Sequence, residues 1–156
     1  MRVHTFVLLR HAKSDYPPGV PDHDRPLSAR GRREAATIAG HLKDFLPVGT
    51  TIGVAVSTAV RAQQTWAAVS DDLDRIERRW DDAGLYLAQP EEILEVVGCF
   101  DTDIGIVVGH NPGLEQLARS FPAPDPDVER RLGTKFPTSA FAVITRGACE
   151  AFVTCR

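Results

Sequence analysis

Hydrophobic positions along the chain alternate between short continuous runs and runs with a helical repeat. Continuous, partly β-branched runs predict strands over 3–9, 51–57, 76–80 and 104–110. Apolar residues three or four positions apart predict helices over 35–46, 62–73, 90–100 and 114–121. Pro90 fits a helix start, and Asn111 is predicted to cap the last helix with Pro112 as its first residue.

The end of the chain shows a different pattern. The segment 122–137 is rich in proline and charge and is predicted to be a long surface loop. Two final strands are predicted over 139–144 and 151–155, with a turn near Arg146 and Gly147. The whole pattern predicts a three-layer α/β/α fold, with a mostly parallel sheet and an antiparallel edge. The length of 156 residues predicts a single domain over 1–156.

Composition and charge exclude several classes of protein. The net charge is −3, so no global basic field favours nucleic acid or an anionic membrane. The three cysteines lack CxxC spacing, which argues against a disulfide framework or a cysteine-based zinc site. The apolar run near the N-terminus is too short for a signal peptide or a membrane span. A cytoplasmic protein is therefore expected.

Basic residues follow three of the predicted strands. The first strand ends at Arg10 and His11, the second is followed by Arg61 in the next helical turn, and the fourth ends at His110. Ligands of open α/β sheets bind beyond the carboxyl ends of the strands. Each residue alone is compatible with a polar strand end, a surface helix or a turn, but their shared position favours one pocket.

Such a pocket suits a phosphoryl group. Arginine presents a permanently charged planar fork to phosphate oxygens, and neutral histidine can attack phosphorus. The chain contains no GxxxxGK[ST] loop, no HExxH motif and no evident carboxylate cluster for magnesium. These features predict phosphoryl chemistry with a histidine nucleophile, without a metal or another cofactor.

Several motifs resemble the histidine phosphatase superfamily. LLRHAKS resembles its RHG signature, with Ala12 in place of the usual glycine, while STAVRAQQT and VVGHNPGLEQLA resemble its second and third signatures. DRPLSARGRREA and KFPTSAFAVI are similar to the compact SixA-type phosphohistidine phosphatases. The resemblance implies a phosphoglycerate mutase-like fold. It also implies that His11 forms a transient phosphohistidine, that Arg10 and Arg61 hold the phosphoryl oxygens, and that His110 contacts the phosphoryl group and stabilises its charge.

The proton donor is less defined. Many members of the superfamily carry an acid after the third strand, where this chain has WDDAGLYLAQPEE. Asp81 and Asp82 are the candidates there. Asp15, Asp22 and Asp24 on the first loop are alternatives, and any of these acids is also compatible with a solvated loop position.

The substrate is predicted from the length of one connection. Only about ten residues separate the third strand from the helix beginning near Pro90, which leaves no room for a large helical lid. An open site favours a phosphorylated side chain on a protein, and the SixA resemblance makes phosphohistidine the first choice. A small phosphomonoester is the alternative substrate. A non-catalytic phosphate- or phosphoprotein-binding module is the alternative of another class, although binding alone needs no His11.

Overall fold

The computed structural model describes residues 3–155 and contains a six-stranded sheet with helices on both faces. The strands are β1 (Thr5–Arg10), β2 (Ile52–Ser57), β3 (Ile76–Asp82), β4 (Ile104–Gly109), β5 (Phe141–Thr145) and β6 (Ala148–Val153). The helices are α1 (Ala29–Leu42), α2 (Val60–Ser70), α3 (Pro90–Val97), α4 (Gly113–Ser120) and α5 (Pro126–Thr134). Short 3-10 turns lie at Asp22–Asp24, Lys43–Phe45 and Ala83–Leu85.

The strand order is β3-β2-β4-β1-β5-β6. Strands β1 to β4 are parallel, whereas β5 and β6 add the antiparallel edge. Strand β4 lies between β1 and β2, with Arg10 opposite Gly109 and Val56 opposite Val108. The carboxyl ends of the three strands are therefore level, and the predicted fold class is confirmed.

Alternate side chains of a strand pack into hydrophobic cores on opposite faces of the sheet. In β1, Phe6 and Leu8 pack with residues of α3, α4 and α5, whereas Val7 and Leu9 pack with residues of α1 and α2. Alternation of this kind follows from the two-residue period of a strand. Burying each large aliphatic or aromatic side chain contributes about 1.5–3 kcal/mol to the free energy of unfolding. The continuous apolar runs are thus explained by helices on both faces.

The predicted long loop over 122–137 is wrong, because α5 lies inside it. Asp125 caps this helix by accepting a hydrogen bond from the backbone N–H of Asp127, and Pro126 is its first residue. Val128 and Leu132 are buried one turn apart, and Phe136 after the helix is fully buried. Two apolar residues at helical spacing outweigh the proline-rich composition, since they anchor the segment to the core.

Two boundary predictions also need correction. Helix α4 begins at Gly113 with Pro112 at the N-cap, so Asn111 does not cap it. The Asn111 side chain instead donates to the Phe136 carbonyl at 2.8 Å and to Glu115 Oε2 at 3.3 Å. Strand β6 begins at Ala148 rather than at residue 151. The turn before it lies where predicted, at residues 146 and 147, which have φ values of 50° and 80°.

Candidate active site

The carboxyl ends of β1, β2 and β4 bring three of the four predicted basic residues into contact. His11 follows β1, Arg61 lies in the first turn of α2, and His110 follows β4. The rings of His11 and His110 are 5.1 Å apart between centroids, and Arg61 Nε lies 3.3 Å from His11 Nε2. All three side chains are buried. This cluster occupies the point where the strand order reverses between β1 and β2.

The main chain holds the His11 segment from several sides. The His11 N–H donates to the Gly109 carbonyl at 3.2 Å, and the His11 carbonyl accepts from the Ser139 N–H at 3.1 Å. The Ala12 N–H donates to Thr65 Oγ1 at 2.9 Å, and that hydroxyl donates to the Arg61 carbonyl at 2.7 Å. These bonds tie His11 to β4, to the segment before β5 and to α2.

The hydrogen bonds of His11 assign its tautomer. Nδ1 lies 2.7 Å from the Ala12 carbonyl oxygen, which can only accept, so Nδ1 carries the proton. Nε2 then carries a lone pair, which accepts from Arg61 Nε. Burial lowers the pKa of His11 to about 3, and the positive charges of Arg61 and Arg10 act in the same direction. His11 is therefore neutral at neutral pH, with Nε2 available as a nucleophile.

Arg61 is held on both sides of its guanidinium. Nε points to His11, while Nη1 donates to the Asp22 carbonyl at 2.7 Å and Nη2 donates to Asp22 Oδ2 at 3.2 Å. A planar guanidinium with three of its nitrogens engaged has a fixed direction. Arg61 thus places a permanent positive charge next to the lone pair of His11.

His110 has a different kind of partner. Its Nε2 lies 2.7 Å from the Ser57 hydroxyl, which can donate or accept, while its buried Nδ1 has no partner among the described residues. Burial lowers the pKa of His110 to about 4, with Arg61 as the next cause. His110 is neutral at neutral pH and can present an N–H to an oxygen once its tautomer is set by Ser57.

Arg10 lies at the edge of this cluster. Its Nη1 donates to the Phe136 carbonyl at 3.0 Å, which also accepts from Asn111. Its buried Nε has no hydrogen-bond partner among residues 3–155. Burial lowers the pKa of Arg10, and the charge of Arg61 acts in the same direction, so these two arginines affect each other. Arg10 thus retains an unused donor near the two histidines.

The two candidate proton donors on β3 have partners outside this cluster. Asp81 Oδ1 accepts from Gln63 Nε2 at 2.9 Å and from Arg79 Nη2 at 3.0 Å. Asp82 Oδ1 accepts from the Gly84 N–H at 2.9 Å and caps the 3-10 turn that follows. Asp82 pairs with Ser57 across the sheet, so its backbone is at the right edge, but its side chain caps its own loop.

The acid that contacts the cluster is Asp22, which was only one alternative among the first-loop acids. Besides Arg61, its carboxylate accepts from Arg25 Nε at 3.0 Å and from the Tyr86 hydroxyl. The Tyr86 bond is the first cause that lowers the pKa of Asp22 to about 2. The Tyr86 ring meets the His110 ring edge-on, with centroids 5.5 Å apart. Tyr86 had no predicted role; its sequence signal was a hydroxylated aromatic residue in a short loop after a strand.

Comparison with known proteins agrees with this geometry. A model of the histidine phosphatase superfamily (branch 1) matches residues 6–83, which is half of the chain. The chain belongs to the histidine phosphatase superfamily. An uncharacterised protein of Mycobacterium tuberculosis is 41% identical over 142 residues, covering 87% of this chain and 85% of that protein.

Solved structures place this superfamily member near the SixA group. A protein of Agrobacterium tumefaciens, provisionally named phosphohistidine phosphatase SixA, has a TM-score of 0.82 and 29% identity, covering 97% of this chain and 98% of that one. A protein of Nakamurella multipartitia with the same provisional name has a TM-score of 0.78 and 27% identity, covering 97% and 96%. Phosphoglycerate mutase from Plasmodium falciparum shares the fold, with a TM-score of 0.58 at 14% identity, covering 96% and 88%. These likenesses support a phosphatase with a SixA-like fold.

The described part of this phosphatase lacks two features. Within residues 3–155, no three His, Cys, Asp or Glu side chains are grouped so that they could hold a metal ion. In the same part of the chain, no helix combines the length and apolarity needed to cross a membrane.

Proposed function

We propose that the protein is a metal-independent phosphatase that transfers a phosphoryl group to His11 Nε2 and then hydrolyses it, with protein phosphohistidine as the substrate. The observation that carries the proposal is the tautomer of His11. Its Nδ1–H is bound to the Ala12 carbonyl, so the lone pair of Nε2 points toward Arg61 and away from the main chain. A neutral imidazole with a fixed lone pair is the form that attacks phosphorus.

In the first step, His11 Nε2 attacks phosphorus while the bond from phosphorus to the leaving nitrogen breaks. The electron pair of that bond stays with the leaving imidazole. Arg61 Nε donates to Nε2 in the free protein, so a phosphoryl oxygen must take over this donor as the attack begins. Arg61, the unused Nε of Arg10 and the N–H of His110 then hold the phosphoryl oxygens. Charge on those oxygens is stabilised by positioned donors, a task that metal ions share in kinases.

In the second step, water attacks the phosphorus of phosphorylated His11. The P–N bond breaks and its electron pair returns to Nε2, while Nδ1 keeps the proton that it donates to the Ala12 carbonyl. The phosphorylated imidazole is formally cationic, so it returns to the neutral form as dihydrogen phosphate departs. The step is balanced without a further acid or base.

The ionisation of the site supports phosphohistidine over a phosphomonoester. Asp22 is ionised at neutral pH, because its pKa is lowered to about 2, and Asp81 and Asp82 have other partners. A phosphomonoester would leave as a basic alkoxide, which needs a proton from an acid. The imidazole of phosphohistidine leaves as a neutral group when its other ring nitrogen is protonated. A site without a protonated acid is therefore better suited to phosphohistidine than to a phosphomonoester.

The surroundings of the site are also compatible with a protein substrate. Residues 83–89 connect β3 to α3 and contain only the short 3-10 turn Ala83–Leu85. The first loop carries the short turn Asp22–Asp24, whose side chains are exposed or half-buried. No helical insertion lies over the mouth in these two connections, so a histidine on a protein surface can approach.

A turnover assay without metal tests the proposal. The assay compares phosphohistidine on a carrier protein with a panel of small phosphomonoesters, in the presence of a chelator. Wild type and His11→Ala are tested together with the matched control His41→Ala, because His41 is an exposed histidine of α1. We expect preference for phosphohistidine, loss of activity in His11→Ala, and wild-type activity in His41→Ala. Preference for one phosphomonoester would reject the substrate. Phosphate binding without any turnover would reject the enzyme in favour of a binding module.

A further inference from the structure

The carboxylate of Asp22 joins three separate segments at the mouth of the site. It accepts from Arg25 on the first loop, from Arg61 on α2 and from Tyr86 on the turn after β3. The backbone carbonyl of Asp22 accepts a fourth bond, from Arg61 Nη1 at 2.7 Å. These donors hold the Asp22 carboxylate at the mouth of the site.

The contacts of Asp22 determine where Arg61 points. Asp22 binds Nη1 and Nη2, which lie on the outer side of the guanidinium, and leaves Nε facing His11 Nε2. Because the guanidinium is planar, fixing the two outer nitrogens fixes the direction of the Nε–H. A small misplacement of a positioning group can cost a rate factor of about 10².

Asp22 also places a negative charge beside the proposed phosphoryl site. Its bond with Tyr86 is the first cause that keeps its pKa low, so the carboxylate is ionised at neutral pH. An anion next to Arg61 reduces the attraction of that arginine for a second anion. The Asp22 side chain is 55% exposed, so the interaction is close to that of two charges in bulk water. At a separation of about 4 Å, such a charge changes binding by a factor of roughly 3–10.

We propose that Asp22, held by Tyr86, is a positioning residue that aims Arg61 at the phosphoryl group on His11 and weakens the binding of free phosphate. The proposal rests on the proposed function, because it takes a phosphoryl group to lie between Arg61 and His11. Weak phosphate binding favours release of the product after each turnover. Asp22 thus raises the rate of phosphoryl transfer and lowers the affinity for free phosphate.

Removing the charge of Asp22 should therefore lower kcat and raise the affinity for phosphate in the same variant. In Asp22→Asn the outer contacts of Arg61 are weakened, so kcat for phosphohistidine falls by about 10–100-fold. The repulsion is also lost, so the affinity for inorganic phosphate rises by about 3–10-fold. Tyr86→Phe keeps the ring against His110 but removes the hydroxyl donor, and we expect changes in the same directions that are a few-fold at most.

Asp24→Asn is the matched control, since Asp24 lies in the same short turn and its side chain contacts His23 Nδ1 at 3.5 Å. The Asp22 side chain is 55% exposed, so asparagine fits without repacking, and thermal unfolding verifies the fold. Inorganic phosphate binding is measured by calorimetry and kcat by steady-state turnover, on all four proteins. A lower kcat with tighter phosphate binding in Asp22→Asn, and wild-type values in Asp24→Asn, support the proposal.

Two outcomes overturn it. If Asp22→Asn keeps the wild-type kcat, Asp22 does not position Arg61. If kcat and phosphate affinity fall together in Asp22→Asn and Tyr86→Phe, the network only supports the local structure. Either result leaves the proposed function intact, provided that wild type turns over and His11→Ala does not. A wild type that neither turns over nor binds phosphate would instead reject the proposed function.

Discussion

The two buried histidines of the site are alike in environment and different in partner. His11 and His110 are 6% and 8% exposed, and burial is the first cause that lowers the pKa of each, to about 3 and about 4. Nδ1 of His11 binds a main-chain carbonyl, whereas Nε2 of His110 binds the hydroxyl of Ser57. A carbonyl only accepts, so it allows one tautomer; a hydroxyl donates or accepts, so it allows both.

In the proposed mechanism, this difference matches two chemical tasks. A nucleophile needs its lone pair on one defined nitrogen in every molecule, which the Ala12 carbonyl provides for His11. A group that supports a phosphoryl oxygen must offer an N–H at the right moment, which the Ser57 hydroxyl permits for His110. Burial alone makes both rings neutral, and the partner then decides which role each ring can take.

The largest expected effect is the loss of the proposed nucleophile. His11→Ala should lower kcat/KM by at least about 10⁴-fold, because the proposed mechanism passes the phosphoryl group through His11 Nε2. The ring is small and follows the strand, so the fold should survive; circular dichroism and thermal unfolding provide the control. Activity within tenfold of wild type, in a folded variant, would contradict the role of His11.

A smaller loss is expected for the partner histidine. His110→Asn should lower kcat by about 10²–10³-fold, since one donor to the phosphoryl group is removed while His11 remains. In this variant a phosphorylated enzyme should still form, but slowly, as rapid-quench kinetics would show. If His110→Asn abolished phosphorylation and His11→Ala did not, the two roles would have to be exchanged.

The partner of His110 offers a sharper comparison. Ser57→Ala removes the hydroxyl 2.7 Å from His110 Nε2 and leaves that buried nitrogen without a partner. We expect kcat to fall by about tenfold and the free energy of unfolding to fall by about 1–3 kcal/mol. Ser70→Ala, at the end of α2, is a control at a less buried serine. Equal effects at both serines would show that the hydroxyl of Ser57 has no special part in the site.

The last expected effect concerns the pH dependence of stability and leaves turnover at neutral pH unchanged. The pKa values of His11 and His110 in the folded protein lie below the ordinary value of 6.5, so the unfolded chain binds more protons below that pH. The free energy of unfolding should therefore fall as the pH drops from about 6.5 to about 4, by up to about 1.4 kcal/mol per pH unit for each histidine.

Urea unfolding at several pH values measures this slope. In His110→Asn one of the two histidines no longer titrates, so the slope between pH 6.5 and pH 4 should be smaller than in wild type by up to one proton equivalent. An unchanged slope would show that His110 is not held neutral by its burial.

Much of the fold was predictable because parallel strands covered on both faces leave a strong pattern. The continuous apolar runs of β2 and β4 identified the centre of the sheet. Helix α5 was missed because its buried face consists of only two residues, Val128 and Leu132, within a polar and proline-rich segment. The composition of such a segment is dominated by the residues on its solvent-exposed face, so it does not indicate the few residues that contact the core.

The predicted site shows the same limit. His11, Arg61 and His110 were predictable because the carboxyl ends of parallel strands meet at one edge of the sheet. Asp22 was only one of several candidate acids and Tyr86 had no predicted role, because their contact joins two loops that are 64 residues apart in the chain. The position of a side chain on a loop depends on tertiary contacts that leave no periodic pattern. Asp82 shows the converse: its backbone lies at the site edge, but its carboxylate turns to cap its own loop.

The most direct test of the account is to find the atom that receives the phosphoryl group. Wild-type protein is mixed with phosphohistidine carrier protein, quenched in alkali within milliseconds and digested, and the peptides are analysed by mass spectrometry. The account predicts a phosphorylated peptide that contains His11, with ³¹P and ¹⁵N NMR of the intact protein placing the group on Nε2. A phosphoryl group on another residue, or turnover without any phosphoenzyme, would contradict it.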